Sequence, residues 1–320
     1  MEALGARPAT TEPLTPAVSH STNCLNCGTT LHGVFCSACG QRDIPPYPSI
    51  RELVIDAFWE LSGWDGRFAS TVKALVRRPG LLTREFLEGR RARYLSPLRL
   101  YLMSSLVYFL IAATAPEVVL NGKKTLFIGV KVGQTSSDST HVSRPERVAN
   151  EAGQAFGAGQ PLPDSLKKKA LEDIARAPKV MQPFLRRAVE DPGGFKRGIL
   201  DAMPRMLFAL LPVFAVIVAL FYHGKKFPEH FYFAFHLHSF IFLCLTVAVA
   251  TRFTRIAPLS IAAGIVAYAW IAVYATFSFR RVYGGSMLAT LSKELGIAAL
   301  YGLVSFAAMI LTIYVVSLQR

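Results

Sequence analysis

Long and nearly uninterrupted apolar stretches dominate the chain from residue 98 onward. Each stretch is close to the roughly 20 residues that an α-helix needs to cross the hydrocarbon core of a bilayer. The pattern therefore predicts an all-α integral membrane protein with five transmembrane helices, and it excludes a purely soluble globular protein. The predicted spans are residues 98–115, 203–222, 231–250, 258–277 and 296–318.

Before the first span, apolar residues recur at the helical spacing of i, i+3, i+4 and i+7. This spacing predicts an amphipathic helix over residues 49–61, which Ser49 and Glu52 open with the separation of a capping box. Its polar face is net acidic, so we expect it to dock on the protein rather than on anionic lipid. A short helix is predicted around residues 83–88. Between these two lies another amphipathic helix, whose apolar positions are Phe68, Val72, Leu75 and Val76.

Composition and charge set the expected orientation of the spans. The 320-residue chain is 52% hydrophobic and 18% charged, its mean hydropathy is +0.35, and its formal net charge is +14. In a multi-pass protein, Lys and Arg near the span ends mark the cytoplasmic side. We therefore expect a cytoplasmic N-terminus and a periplasmic C-terminus. The marking residues are Arg77, Arg78, Arg84, Arg90, Arg91, Arg93, Lys225, Lys226, Arg280, Arg281 and Lys293.

Four of the five cysteines fall within sixteen residues and form two Cys-x-x-Cys-Gly knuckles. The glycine permits a tight turn that points backbone N–H groups at the sulfurs. Four thiolates about 2.3 Å from an ion complete a tetrahedral shell, so we predict a structural zinc ribbon. Iron or two disulfides are the alternatives, and a cytoplasmic location disfavours the disulfides. The predicted metal ligands are Cys24, Cys27, Cys36 and Cys39.

A row of arginines precedes and enters the first span. Its members are Arg90, Arg91, Arg93 and Arg99. Arg99 lies inside the apolar run and is expected to snorkel to the interface. Topology anchoring, contact with the phosphate of anionic lipid headgroups or of a lipid-linked substrate, and nucleic-acid binding are the three interpretations. Aromatic residues are too few and too close to the bilayer for a nucleic-acid platform, so nucleic acid is not an expected partner.

Ionisable residues also gather near the start of the third span, where they are Glu229, His230, His236 and His238. Glu229 and His236 are seven residues apart and share one helix face, whereas His230 and His238 occupy a neighbouring face. Ionisable groups inside a membrane suggest function by default. Three interpretations stay open for this polar intramembrane cluster: interhelical hydrogen bonds, a proton or ion relay, and a metal or catalytic centre.

These patterns divide the chain into six parts. Residues 1–20 have no apolar run, which predicts a disordered and uncleaved tail. In the long connection, Val118–Leu120 and Leu126–Ile128 flank an Asn-Gly turn, which predicts a β-hairpin. The parts are the tail at 1–20, the zinc ribbon at 21–42, cytosolic amphipathic helices at 49–97, the first span at 98–115, an extramembrane segment at 116–202 and the remaining spans at 203–320.

Short motifs occur along the chain in a characteristic order. They are Cys39-Gly40-Gln41, Asp65-Gly66-Arg67-Phe68, Arg78-Pro79-Gly80, Gly89-Arg90-Arg91-Ala92-Arg93-Tyr94, Ser96-Pro97, Tyr101-Leu102, Glu229-His230 and Phe235-His236-x-His238-Ser239-Phe240. Together they resemble a bacterial membrane family catalogued as domain of unknown function 3667. The resemblance implies a multi-pass inner-membrane protein with a cytosolic ribbon, and the family brings no established activity.

Three functional hypotheses follow. The leading one is a non-catalytic scaffold or assembly factor, in which the zinc ribbon recruits a cytosolic or membrane protein partner or holds the cytosolic helices against the bundle. The second is a membrane-embedded enzyme or permease for a lipid-linked or ionic substrate, with the Glu/His cluster supplying the chemistry. The third is a metal or redox sensor, which requires labile zinc. The chain lacks GxxxxGK[ST], GxSxG and HExxH motifs, which argues against the familiar enzymes that use them.

Overall fold

Helices dominate the part of the chain that the computed structural model describes, which is residues 22–43, 67–116, 118–120, 123–125 and 164–319. The predicted all-α membrane class is confirmed, because five helices in this part are long and apolar enough to cross a bilayer. The tail predicted at 1–20 and the amphipathic helix predicted at 49–61 lie outside the described residues.

The five helices that can cross a bilayer begin at Pro97, Pro192, Phe227, Ala257 and Met287. A short 3-10 turn, Thr251–Thr254, directly follows the third of them. In chain order the elements are α1 (Arg67–Arg77), α2 (Leu81–Leu87), α3 (Pro97–Thr114), β1 (Val118–Leu120), β2 (Lys123–Thr125), α4 (Asp164–Ile174), α5 (Gln182–Glu190), α6 (Pro192–Phe221), α7 (Phe227–Ala250), α8 (Ala257–Tyr283) and α9 (Met287–Leu318).

Some spanning helices begin well before the apolar runs that predict them. Helix α6 starts at Pro192, eleven residues ahead of the predicted start, and α9 starts at Met287, nine residues ahead. An apolar run marks only the hydrocarbon part of a span, whereas the helix itself continues into the polar interface. Asp191 begins α6 by accepting a hydrogen bond from the N–H of Gly194 at 2.8 Å, and a proline suits the first helical position.

Helix α7 is the central helix of the bundle. The protein buries 56% of its most apolar window, against 6% for α9. It packs against α3, α6 and α8, largely through aromatic side chains. The rings of Phe240 on α7 and Tyr274 on α8 are stacked, and Tyr101 of α3 meets Phe235 and Phe242 of α7 edge-on. Helices α3, α6 and α8 therefore surround α7, and the spanning helices leave apolar side chains on the outer surface.

The two ends of the bundle carry different elements. At the end called here the ribbon end, α1 and α2 lie beside the C-terminal half of α8, and the four-cysteine segment contacts the loop that follows α2. Tyr274 donates from its hydroxyl to the Leu75 carbonyl at 2.8 Å, and Arg281 donates from Nη1 to the Pro79 carbonyl at 2.6 Å. At the opposite end, α5 packs against α9, and β1 packs against α8.

Helix α1 buries a different face from the one that its apolar residues predict. Phe68 and Val76 are exposed, whereas Thr71, Ala74 and Leu75 are buried. The small side chains of Thr71 and Ala74 let the helix approach its neighbours closely, and Leu75 fills the contact. The predicted helix is present, and of its apolar positions Leu75 is buried whereas Phe68 and Val76 lie on the outside.

The predicted hairpin after the first span is present. Strands β1 and β2 pair antiparallel, with Val118 opposite Thr125 and Leu120 opposite Lys123. The second strand starts directly after the two-residue Asn-Gly connection, earlier than the predicted Leu126–Ile128, which lies outside the described residues. A two-residue connection favours this immediate return, because hairpin turns of that length place the flanking residues in register.

Arg99 does not snorkel as expected. It is only 6% exposed, and every residue of the first turn of α3 from Pro97 to Tyr101 is buried. Protein atoms cover nearly all of Arg99, whereas snorkelling requires an exposed guanidinium. The sequence does not reveal this burial, because it depends on how the first turn of α3 packs against the rest of the chain.

Candidate functional site

Two matching turns build the four-cysteine segment at the ribbon end. In each turn, the glycine after the second cysteine donates its N–H to the carbonyl of the first, Gly28 to Cys24 at 2.8 Å and Gly40 to Cys36 at 2.9 Å. The two glycines have φ angles of 80° and 71°, in the left-handed region that favours glycine. The local sequence thus folds both knuckles in the same way.

The two turns bring four sulfur atoms together. The Sγ atoms of Cys24 and Cys39 are 3.6 Å apart, those of Cys27 and Cys36 are 3.5 Å apart, and all four lie within 4.8 Å of one another. The edges of a tetrahedron with metal–sulfur bonds of about 2.3 Å measure about 3.8 Å. The sulfurs are also too far apart for S–S bonds, which measure about 2.05 Å. These four residues can therefore hold a metal ion.

The four thiols do not have equal electrostatic surroundings. Burial raises the pKa of Cys24 to about 11, whereas hydrogen bonding with Thr29 lowers the pKa of Cys27 to about 6. A metal binds the thiolate form and displaces any remaining protons. Cys27 is therefore the more easily deprotonated of the two thiols, and Cys24 releases its proton when a metal binds.

Gln41, which directly follows the second knuckle, ties the four-cysteine segment to the loop before α3. Its Nε2 donates to the carbonyl of Gly89 at 2.8 Å. Its Oε1 accepts from the backbone N–H groups of Arg91 and Ala92, both at 3.0 Å. One amide side chain therefore satisfies three backbone groups of an arginine-rich loop that is about fifty positions away in sequence.

An apolar contact supports this connection. Gly89 has a φ of 82°, and a Cβ atom added there would lie 2.6 Å from Cδ1 of Leu25 in the first knuckle. Gly89 is thus required twice, once by its backbone conformation and once by the close approach of Leu25. The knuckles and the arginine-rich loop, which occur as separate motifs in the sequence, form one contact in the structure.

Other parts of the four-cysteine segment remain exposed. Val34 and Phe35, which lie between the two knuckles, are 47% and 62% exposed. A segment of this size contains few apolar residues, and an apolar patch that it leaves exposed is a candidate contact surface for another molecule.

The arginine row predicted as one phosphate contact is divided among different surroundings. Arg90 places Nε and Nη2 each 2.7 Å from a carboxylate oxygen of Glu85, and its Nη2 also contacts Glu88. Hydrogen bonding with Arg90 lowers the pKa of Glu85, so this ion pair persists below neutral pH. The guanidinium of Arg91 lies 4.9 Å from the ring centroid of Phe86.

The other two members of the row differ again. Arg93 is exposed, and Arg99 is buried. A lipid-phosphate contact through all four arginines is therefore not what this arrangement favours, and within the row Arg93 is the most accessible candidate.

Glu229 and His230 have separate partners at the start of α7. The Glu229 carboxylate accepts from the backbone N–H of Lys226 at 3.1 Å and lies 3.2 Å from Nζ of Lys225. His230 places Nδ1 2.9 Å from the hydroxyl of Tyr283 on α8, and the two rings are stacked. Glu229 thus caps its own helix, and His230 joins two spanning helices.

His236 and His238 also bind different neighbours. His236 places Nδ1 3.0 Å from the hydroxyl of Thr83 on α2. His238 donates from Nδ1 to the Ala234 carbonyl at 2.8 Å, so its Nε2 accepts from the hydroxyl of Tyr301 on α9 at 3.2 Å. Of the interpretations left open by the sequence, the described contacts favour interhelical hydrogen bonds. Across the described residues, only the four cysteines bring three or more His, Cys, Asp or Glu ligand atoms together.

Sequence reasoning missed the partners of these residues. Gln41, Thr83, Tyr283 and Tyr301 are polar residues whose contacts lie far away in sequence, and periodicity locates a helix face without naming its neighbour. A signal did exist for Gln41, because this residue directly follows the second knuckle in the sequence.

An acidic residue in α9 was also missed. Glu294 accepts from the hydroxyl of Thr276 on α8 at 2.6 Å, and the neighbouring Lys293 lies 4.4 Å from the ring centroid of Tyr222. The signal was a Lys-Glu pair inside a long apolar helix, where ionisable residues are rare and usually paired. The pair joins α9 to α8 and α6 at the ribbon end.

The described residues define a multi-pass helical membrane protein in which a four-cysteine segment able to hold a metal is tied to the loop before the first span. A family model described as Protein of unknown function (DUF3667) matches residues 65–109. These residues include α1, α2, the arginine-rich loop and most of α3, and the match confirms the resemblance seen in the sequence motifs. The chain matches no curated protein and no solved structure.

Proposed function

We propose that this protein is a non-catalytic scaffold or assembly factor of the bacterial inner membrane, with a structural zinc ribbon on the cytoplasmic side. The observation that carries the proposal is Gln41, whose side chain makes three hydrogen bonds with the loop before α3. Metal binding folds a ribbon that has almost no core of its own. The folded ribbon then fixes the loop from which the first span starts.

Zinc is the metal that we assign to the four cysteines. Soft thiolate ligands select zinc or iron over harder cations, and zinc accepts the tetrahedral arrangement without a preference of its own. Four protein ligands leave no open coordination position for water or substrate, which supports a structural role.

The exposed apolar residues of the ribbon support recruitment of a protein partner. Val34 and Phe35 offer an aromatic and aliphatic contact, while Gln41 and Leu25 hold the same ribbon to the membrane part. We expect the partner to be a cytosolic or membrane protein with an apolar surface at this contact. The lipid bilayer surrounds the spanning helices, and anionic headgroups are expected near Arg93.

The alternative function is a membrane enzyme or permease, in which the buried polar residues of α7 would supply the chemistry. Glu229, His230 and His236 are buried, which is costly in a membrane protein unless the groups are used or paired. The described contacts pair each of them with a different neighbour, so the scaffold is the better supported function. A metal or redox sensor would use the same ribbon and would require that zinc leaves readily.

The test compares three variants of the full chain with the wild type. We expect one zinc per chain by elemental analysis, lost in Cys24→Ser/Cys27→Ser and retained in Phe35→Ser and His236→Ala, because only the first variant removes ligands. A photo-crosslinker at position 34 should capture a partner in cells, and the Cys24/Cys27 and Phe35 variants should lose it. Capture should persist in His236→Ala, which leaves the ribbon intact.

The same variants distinguish the alternatives by complementation of a deletion strain. Failure of His236→Ala in a folded protein, with full function in the two ribbon variants, would overturn the scaffold and support the enzyme or permease. A second metal that survives in Cys24→Ser/Cys27→Ser but disappears in His236→Ala would do the same.

A further inference from the structure

A cleft lined by arginines opens at the ribbon end, between α2 and the last turn of α8. It consists of two adjoining depressions of about 380 and 490 Å³, which share Arg84 and Arg281. Arg78 lines the first depression and Arg280 lines the second. These four residues define what is called here the arginine cleft. The sequence identifies them only as markers of the cytoplasmic side.

The arginine cleft has more positive charge than its acidic neighbours neutralise. Glu85 and Glu88 line one edge, where Arg90 pairs with both of them and Arg84 places Nε 2.7 Å from Glu88. Among the described residues, Arg78 and Arg280 make no ion pair or side-chain hydrogen bond. The guanidinium groups that line the cleft repel one another, and an anion bound between them relieves this repulsion.

The walls of the arginine cleft are held at a fixed separation. Gly80 has a φ of 72°, and a Cβ atom there would lie 3.0 Å from the Ser278 carbonyl oxygen, so the α2 turn rests directly on α8. Arg281 donates from Nη1 to the Pro79 carbonyl at 2.6 Å. Arg84 is likewise tied to the wall through Nε, which lies 2.7 Å from the Glu88 carboxylate. Such preorganisation lowers the entropy that binding would cost.

The position of the arginine cleft relates it to the membrane. Arg280 and Arg281 lie in the last turn of a spanning helix, at the level where lipid headgroups occur. Phe277, one turn deeper on the same helix, also lines the cleft and is 47% exposed. The cleft therefore combines guanidinium groups above with an aromatic surface below, which matches a headgroup phosphate above an acyl chain.

We propose that the arginine cleft is a phosphate site, filled by the phosphate of an anionic phospholipid from the leaflet at the ribbon end. Guanidinium groups bind phosphate oxygens through paired N–H donors, with a geometry that ammonium groups do not reproduce. A bound phosphate would bridge the family-matched α2 and the end of α8. The arginine row Arg90, Arg91, Arg93 and Arg99 contributes only Arg90, at the acidic edge of the cleft.

The test titrates purified full-length protein with phosphatidylglycerol and, separately, with zwitterionic phosphatidylcholine, and reads bound lipid by native mass spectrometry. Arg78→Gln/Arg280→Gln removes the two cleft arginines that make no ion pair or side-chain hydrogen bond with any described residue. We expect phosphatidylglycerol to bind this variant at least about tenfold more weakly. The matched control is Lys73→Gln/Arg77→Gln, which removes two exposed cations of α1 outside the cleft and should stay within about twofold of the wild type.

Equal losses in the two double variants would overturn the site, since a diffuse surface potential would then explain the binding. An unchanged affinity in Arg78→Gln/Arg280→Gln would overturn it as well. Glycerol 3-phosphate supplies the soluble arm of the test. If it binds the wild type as tightly as phosphatidylglycerol and depends on the same two arginines, the lipid source is overturned in favour of a soluble phosphate ester.

Single substitutions test the same site without the double variant. Should Arg78→Gln/Arg280→Gln lose zinc or elute as aggregate, Arg280→Gln and Arg77→Gln are compared singly, and only the first should weaken binding. Zinc content and the crosslinked partner should not change in either single variant, so failure of this proposal is distinguishable from failure of the scaffold.

Discussion

Gln41 shows how one side chain can join two parts of this protein. A carboxamide donates and accepts at the same time, and here it matches one carbonyl and two N–H groups of the same loop. A glutamate at this position would lose the donor, and an alanine would lose all three contacts. Because Gln41 and Gly89 are about fifty positions apart in sequence, the ribbon and the loop come into contact only when the chain folds.

We therefore predict that Gln41→Ala releases the ribbon from the loop without removing its metal. Three hydrogen bonds at about 0.5–1.5 kcal/mol each amount to roughly 1.5–4.5 kcal/mol of docking free energy. Hydrogen exchange should become faster at residues 22–43 and 89–92, while the zinc content stays the same. Ser37→Ala, an exposed substitution in the same ribbon, is the control. Loss of zinc in Gln41→Ala, or exchange as slow as in the wild type, would contradict the prediction.

At the scale of residues, local features were predictable and distant partners were not. The four cysteine ligands follow from a spacing of a few positions, and the turn around them is set by the same residues. The contact of Gln41 with Gly89 needs the chain to return after about fifty residues, and no local pattern encodes that return. Arg99 illustrates the same limit, because its burial depends on packing that no local pattern encodes.

At the scale of elements, α2 is the helix of the matched family region that lies between α7 and α8. It rests on α8 through Gly80 and reaches α7 through Thr83 and His236. Thr83 is fully buried, and its hydroxyl faces a buried imidazole nitrogen. The short helix was predictable from its sequence, whereas its seat between two spanning helices was not. The face that α1 buries depends on tertiary packing in the same way, since Phe68 and Val76 are left on the outside.

Thr83→Val tests this seat because it keeps the shape of the side chain and removes the hydroxyl. The Nδ1 atom of His236 then loses its partner inside the protein, which costs about 1–3 kcal/mol. We expect a lower midpoint in unfolding by denaturing detergent, and we expect zinc to remain bound. Thr114→Val is the control, because that hydroxyl bonds only to its own helix at an exposed position. Equal midpoints for the two variants would show that the Thr83 contact adds no stability.

At the scale of the whole molecule, the spans could be predicted but their arrangement could not. Five spans can be located because the length and composition of each apolar run are properties of that run alone. The position of α7 in the centre depends on which helices it packs against, and its aromatic residues become informative only after that is known. The same holds for the polar residues of α7, which look like one cluster in the sequence and have separate partners in the structure.

The expected orientation is tested by fusions to alkaline phosphatase, which is active only outside the cytoplasm. A fusion after residue 116 should be active, and fusions after residues 224 and 285 should be inactive, because arginines and lysines retain those connections inside. Expression levels of the fusions, measured by immunoblot, serve as the control. The reverse pattern of activity would place the ribbon end outside and would remove the basis for a reduced, metal-binding ribbon in the cytoplasm.

The enclosed first turn of α3 has a consequence for the order of events during synthesis. Residues 115–226, 112 residues, separate the end of α3 from the start of α7, which is its main packing partner. At about 5–20 residues per second, a ribosome needs roughly 6–20 s to make them. During that interval the rings of Phe235 and Phe242 that pack on Tyr101 do not yet exist, so this face of the first turn of α3 has no α7 to cover it. Closure of the bundle around α3 therefore waits for the synthesis of α7.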